Sequence, residues 1–198
     1  MKTLTKSVIA TVLSVIVLTS SAMTTLASDE VKVVTTENTF NKIWVSGNVK
    51  LILTQGKKDA VKVDEHFNAE KTSITTVGNT LYVNTTESEV VTIHVTAQDI
   101  FRIQAAGNSE VITSNKFDVK YLQVFLSQSA KAKINTRAGS LYTVVSDDAK
   151  LKMTGLAGEH TLVASNMNNV KFNDFVSFDK GQNGSEILFN GNRVATRK

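Results

Sequence analysis

LSQSAKAKI, at residues 126–134, is followed by VSDDAKLKM, at residues 145–153. Both run apolar residue, serine, two polar residues, alanine and lysine, then alternate into an apolar residue. Related stretches are VSGNVKLIL at 45–53 and AAGNSEVIT at 105–113, with a looser copy, ASNMNNVKF, at 164–172. The residues read as following each corner are Val49, Ser109, Ala130, Ala149 and Val170, spaced 60, 21, 19 and 21 apart, the first interval equalling three units. A chain that returns to the same chemistry about every twenty residues winds a coil, because one rung cannot bury its own apolar side.

Facing follows from period two, since successive strand side chains point to opposite faces. Leu122, Val124, Leu126, Ala130, Ala132 and Ile134 are predicted to point inward. One rung later the inward set is Leu141, Thr143, Val145, Ala149, Leu151 and Met153. The outward set on one strand is Lys131, Lys133, Lys150, Lys152 and Lys171, with Lys131, Lys150 and Lys171 read as one column. On the other strand it is Tyr121, Phe125, Tyr142 and Val144. Segments such as LYV at 81–83 and VTIHV at 91–95 alternate in the same way, and turn residues punctuate them. The chain has no proline, which fits a backbone whose N–H groups are committed to sheet ladders. The predicted fold is therefore all-β, a parallel β-solenoid with rungs of roughly 20 residues. An antiparallel sandwich also alternates, but does not repeat the same residue types at the same corner. The repeat is faint over residues 57–100, where hairpins beside the first coils are expected. A helix is conceivable only around residues 68–72.

The first thirty residues read MKTLTKSVIATVLSVIVLTSSAMTTLASDE. Two lysines, an apolar run at 8–18 and a small-residue site ending at Ala27 predict a secretory signal peptide over 1–27. The apolar run falls short of the roughly 20 residues that a spanning helix needs. One domain is expected over 28–198. Loss of Lys2 and Lys6 takes the formal charge from +4 to +2, too little for a nucleic-acid footprint. There is no cysteine, so neither disulfide staples nor thiol chemistry is available.

Catalytic, metal and cofactor motifs are not found. His66, His94 and His160 are far apart, without metal-ligand spacing. No Gly-x-Ser-x-Gly elbow occurs, and the serines gather at corners. Asp147 and Asp148 form one acidic corner, short of a calcium set and without the aromatic partners of a sugar-cleaving pair. The candidate binding surface is thus the lysine strip (Lys131, Lys133, Lys150, Lys152, Lys171) with the aromatic strip (Tyr121, Phe125, Tyr142). Lysines suit an anionic polymer such as an envelope polysaccharide, although they also solvate a strand face and discourage aggregation. The aromatic strip is expected to be covered by the chain's own amino-terminal strands, with sugar binding as the alternative.

FNKIWVSGNVKLILTQG (40–56), VGNTLYV (77–83), VTIHVTAQDIFRIQAAGNSEV (91–111) and the later AKLKMTG rung (149–155) carry a family resemblance. Over residues 40–189 the chain resembles the bacterial family of auto-transporter adhesin, head GIN domains. Gln128, Asp147 and Asn166 depart from it, standing at corners where glycine is common. The resemblance implies an exported β-solenoid in the periplasm or on the outer cell surface, and it brings no catalytic or ligand residues. Taken together, the reading is a non-enzymatic, adhesin-like envelope module without a cofactor, with anionic envelope glycans or proteins as partners. The alternatives are a periplasmic scaffold without a soluble ligand and a polysaccharide-active enzyme.

Overall fold

The structure, a computed structural model, describes residues 32–34, 39–64, 67–178, 186–189 and 192–196; the expected leader, residues 1–27, lies outside them. The strands in the amino-terminal half are β1 (Lys32–Val34), β2 (Lys42–Ser46), β3 (Val49–Gln55), β4 (Ala60–Val63), β5 (Thr72–Val77), β6 (Thr80–Thr85) and β7 (Val91–Ala97). Next come β8 (Arg102–Ala105), β9 (Glu110–Thr113), β10 (Phe117–Leu126), β11 (Lys131–Val145) and β12 (Lys150–Ala164). The last are β13 (Val170–Ser177), β14 (Glu186–Phe189) and β15 (Asn192–Thr196). The protein is all-β; among the described residues the only helical element is a 3₁₀ turn at Met167–Asn169. Residues 68–72 make a single turn into β5, with the Thr72 N–H donating to the Asn68 carbonyl at 2.9 Å.

The two opening nonapeptides lie on one another. β10 and β12 each pair with β11 in parallel, placing Leu126 opposite Val145 and Ala132 opposite Leu151. Two arms result. One runs β6–β2–β8–β10–β11–β12–β14 and the other β7–β3–β9–β11–β12–β13, the long strands β11 and β12 crossing from arm to arm. Antiparallel strands line the margins: β4 on β7, β1 on β4, β5 on β6 and β15 on β14. The sheet is therefore curled and mixed, less regular than the parallel solenoid of roughly 20-residue rungs, with hairpins beside the first coils, that was expected. β4 and β5 fall within residues 57–100, where the repeat is faint.

Two spacings are corrected. The 60-residue interval is a single step, not three, because Lys50 pairs with Glu110 and Leu51 with Val111. The chain leaves β3, lays β6 and β7 on the far side of β2 and β3, and returns to lay β8 and β9 on the near side. Both edges of the first rung are thereby covered, and its ladder groups are paired. At the other end Val170 stacks on Leu151, at an interval of 19 residues, not on Ala149. The 3₁₀ turn, capped by the Asn166 side chain, puts Asn168 and Asn169 before the strand restarts, so the apolar residue re-enters two positions late.

Every residue assigned inward by parity on the two rungs is buried. One column reads Ile93, Leu51, Val111, Ala132 and Leu151, and another Val83, Val45, Ala105, Leu126, Val145 and Ala164. Large and small side chains mix along each column, and both arms feed one core cluster. Each fully buried aliphatic side chain contributes about 1.5–3 kcal/mol against exposure, which is how a chain without disulfides holds together.

Corners stack as well. Gly47, Gly107, Gln128 and Asp147 take φ of 85°, 69°, 59° and 56°, the left-handed region, in four successive stacked rungs. At Gly47 the constraint is steric too, since a Cβ there would run into the Thr85 carbonyl oxygen. Gln128 and Asp147 offset the left-handed cost with their side chains. Gln128 Oε1 accepts from the Gly107 N–H at 2.6 Å, and Asp147 Oδ2 accepts from the Gln128 N–H at 2.8 Å.

Candidate functional site

The arm containing β3, β9, β11, β12 and β13 presents a basic outer face. One column along it reads Thr92, Lys50, Glu110, Lys131 and Lys150. Beside it runs His94, Ile52, Ile112, Lys133, Lys152 and Lys171, with Lys62 of β4 opposite His94. All five lysines singled out in the sequence are exposed and share this face. Lys171, however, extends the Lys133–Lys152 column and not Lys131–Lys150, a consequence of the 19-residue step. Glu110 is the acidic member, and it pairs with Lys133 at 2.8 Å. An exposed pair of this kind contributes little to stability, about 0–1 kcal/mol. Lys131, Lys150, Lys152 and Lys171 form no ion pair among the described residues. A groove of about 290 Å³ opens at the corner of this face between Asn48, Lys50, Asn108, Glu110, Ser129 and Lys131.

The other arm presents aromatic residues. Parity directs Tyr82, Trp44, Gln104, Phe125, Val144 and Val163 into one outer column. Its neighbour holds Thr80, Lys42, Arg102, Gln123, Tyr142 and Thr161. Tyr121 is 50% exposed and Tyr142 37%, so the amino-terminal strands do not cover this surface. The expected covering fails because β2 and β8 extend the sheet edgewise beside β10 instead of lying over its face. Phe125 and Tyr142 meet with ring centroids 5.9 Å apart, and Trp44 and Tyr82 at 6.0 Å. The Arg102 guanidinium lies 5.1 Å from the Phe125 centroid, while its Nε donates to Gln123 Oε1 at 2.8 Å.

His160 is the one ionisable side chain in the core among the described residues. Its Nε2 lies 2.5 Å from Thr143 Oγ1, and the rings of Phe172 and Phe175 meet it edge-on. Burial lowers its pKa from 6.5 to about 4, so the ring is neutral at physiological pH. Asp147 spends its carboxylate on the corner ladder, and no cluster of three metal-ligating side chains occurs among the described residues. His66 lies outside the described residues.

Sequence reasoning missed Lys50, Lys62, Trp44, Tyr82 and Arg102. Lys50 was visible, since it holds the position in VSGNVKLIL that Lys131 holds in LSQSAKAKI. Trp44 and Tyr82 become neighbours only because β6 stacks on β2, and no repeat announces that step.

The model of the family described as "Putative auto-transporter adhesin, head GIN domain" matches residues 39–178. No match was found among curated proteins. The fold is similar to a solved adhesin-like protein of Bacteroides fragilis NCTC 9343, with TM-score 0.56 and 16% identity, over 76% of this chain and 73% of that one. It is also similar to a protein of Parabacteroides distasonis ATCC 8503 described as "Putative lipid binding protein", with TM-score 0.58 and 11% identity, over 80% and 77% of the two chains. A second protein of that organism, described as a "putative adhesin", matches with TM-score 0.50 and 14% identity, over 75% and 79%. At these identities the structures speak for the fold, while the family match spans most of the chain. The chain belongs to the auto-transporter adhesin, head GIN domain family.

Proposed function

We propose that the protein is a non-enzymatic, exported surface-binding module of the cell envelope, in the periplasm or on the outer surface, that holds an anionic polysaccharide on its basic face. In this reading the parallel rungs act as a β-solenoid that repeats one charge pattern at about 4.8 Å intervals. The observation that carries it is the stacking of Lys131 on Lys150 and of Lys133, Lys152 and Lys171 on one exposed face. Neighbouring ammonium groups repel by roughly 1 kcal/mol in water. A polyanion lying along the columns relieves that repulsion and gains an attraction that salt screens. The family description and the adhesin-like neighbours support a binding role, and the engagement of Asp147 in the corner ladder speaks against a hydrolytic carboxylate pair.

The test is binding of purified lipopolysaccharide and of acidic polysaccharides to the wild type and to a Lys131→Gln, Lys150→Gln, Lys152→Gln, Lys171→Gln variant, at low and high salt. Salt-sensitive binding that the variant loses supports the proposal. Vesicles of anionic phospholipid, run in parallel, separate a lipid headgroup from a polysaccharide as the source of charge. Binding that survives the four substitutions removes the basic face, and no binding by a folded protein favours a scaffold without a soluble ligand.

A further inference from the structure

The aromatic face on the opposite arm is built differently from the lysine face, and its chemistry is more selective. Arg102 is not a free surface cation: Phe125 supports its plane and Gln123 holds its Nε. Its terminal nitrogens have no other protein partner among the described residues. A planar, permanently charged fork held this way loses little freedom on binding and suits a carboxylate in two-point contact. Around it stand the exposed rings of Tyr82 and Tyr142, the half-buried ring of Trp44, and the amide of Gln104. From β6 to β12 neither column carries a carboxylate, and Lys42 lies directly beside Arg102.

We infer that this face is a platform for a uronic-acid-containing glycan, which sets a sugar carboxylate on Arg102 and stacks pyranose faces on Trp44 and Tyr142. Rings with an apolar body and a polar rim match the weakly polar face of a sugar. The six strands from β6 to β12 extend about 24 Å along the column direction, room for several sugar units, and the rung spacing is close to the length of one. A flat apolar partner would leave the Arg102 fork desolvated and unpaired, at a cost that a carboxylate removes. A uronate chain meets both the ring surface and the charge. The inference rests on a surface separate from the basic face of the proposed function, so either can fail alone.

Trp44 is the only tryptophan of the chain and lies on this face, so its fluorescence reports occupancy in the unaltered protein. The probe is a six-unit oligogalacturonate, with its methyl ester as the control that keeps the rings and removes the charge. Titration with the acid is expected to change Trp44 emission saturably, while the ester binds roughly tenfold more weakly or worse. Arg102→Gln is expected to weaken the acid by a similar factor, and Arg102→Lys to restore it only in part. The four lysine substitutions are expected to leave the Trp44 signal within about threefold, because they sit on the other arm beyond most of the screened field. Equal binding of acid and ester overturns the role of Arg102. A signal lost with the lysines and kept in Arg102→Gln moves the site to the basic face. No response to the acid overturns the inference, as does an emission change that tracks protein concentration, which would mark a second copy on this face.

Discussion

Single positions carry the corner geometry, and they differ in what they tolerate. Gly47 has both a left-handed φ of 85° and a backbone oxygen where a Cβ would go. Gly47→Ala is therefore expected to cost at least about 2 kcal/mol. Asp147→Gly removes the left-handed penalty but takes away the acceptor of the Gln128 N–H, so the net change is expected to stay within about 1 kcal/mol. Urea midpoints of the two variants measure this, and equal losses would contradict the distinction. The glycine corners were legible in the Gly-Asn pairs, whereas Gln128 and Asp147 show no glycine and were placed only through the repeat. His160 gives a second test at this scale. Its folded pKa of about 4 lies below 6.5, so the unfolded chain takes up the proton first. The associated stability is complete above about pH 6.5, declines as pH falls, and is gone below about pH 4, a change of about 3 kcal/mol. Comparing urea midpoints at neutral and acid pH for wild type and His160→Asn isolates it from the carboxylates. The wild type should lose more than the variant, and identical pH profiles would rule the ring out.

Elements are held by columns rather than by pairs. Leu151 stacks between Ala132 and Val170, and truncation to alanine opens a gap that the small Ala132 cannot fill. Leu151→Ala is expected to cost about 2–5 kcal/mol. Along the basic face the balance is opposite. Lys150→Gln relieves repulsion from Lys131 and removes no ion pair, so stability is expected to hold or rise by up to about 1 kcal/mol. Thermal unfolding at low salt measures both, and a marked loss in Lys150→Gln would mean that the lysine column serves the fold. Period two made the inward and outward sets readable, because one face of each strand is buried in a core shared by both arms. It could not show what lies edgewise next to a strand, which is why exposed Tyr121 and Tyr142 were expected under cover.

At the scale of the molecule, chain order and spatial order part company. Where rungs follow one another directly, as from β8 to β12, the nonapeptides reveal the stacking because neighbours in sequence are neighbours in space. The first rung is different: β2 and β3 sit between β6–β7 and β8–β9, and the chain visits the far side first. Nothing in VSGNVKLIL encodes that detour, and the antiparallel strands β4 and β5 interrupt the period before the chain returns. Both candidate faces depend on this order, since it brings Lys50 to Glu110 and Trp44 between Tyr82 and Gln104.

The absence of cysteine makes the order directly measurable by engineered cross-linking under mild oxidation. Lys50→Cys with Glu110→Cys occupies paired positions on adjacent strands, within disulfide reach. Thr92→Cys with Glu110→Cys spans two strand spacings across β3, about 9.6 Å, and lies beyond it. Rapid, near-complete bridging in the first double variant and none in the second is the expected result. Bridging in the second and none in the first would place β9 beside β7, and would contradict the stacking on which the rest of the account is built.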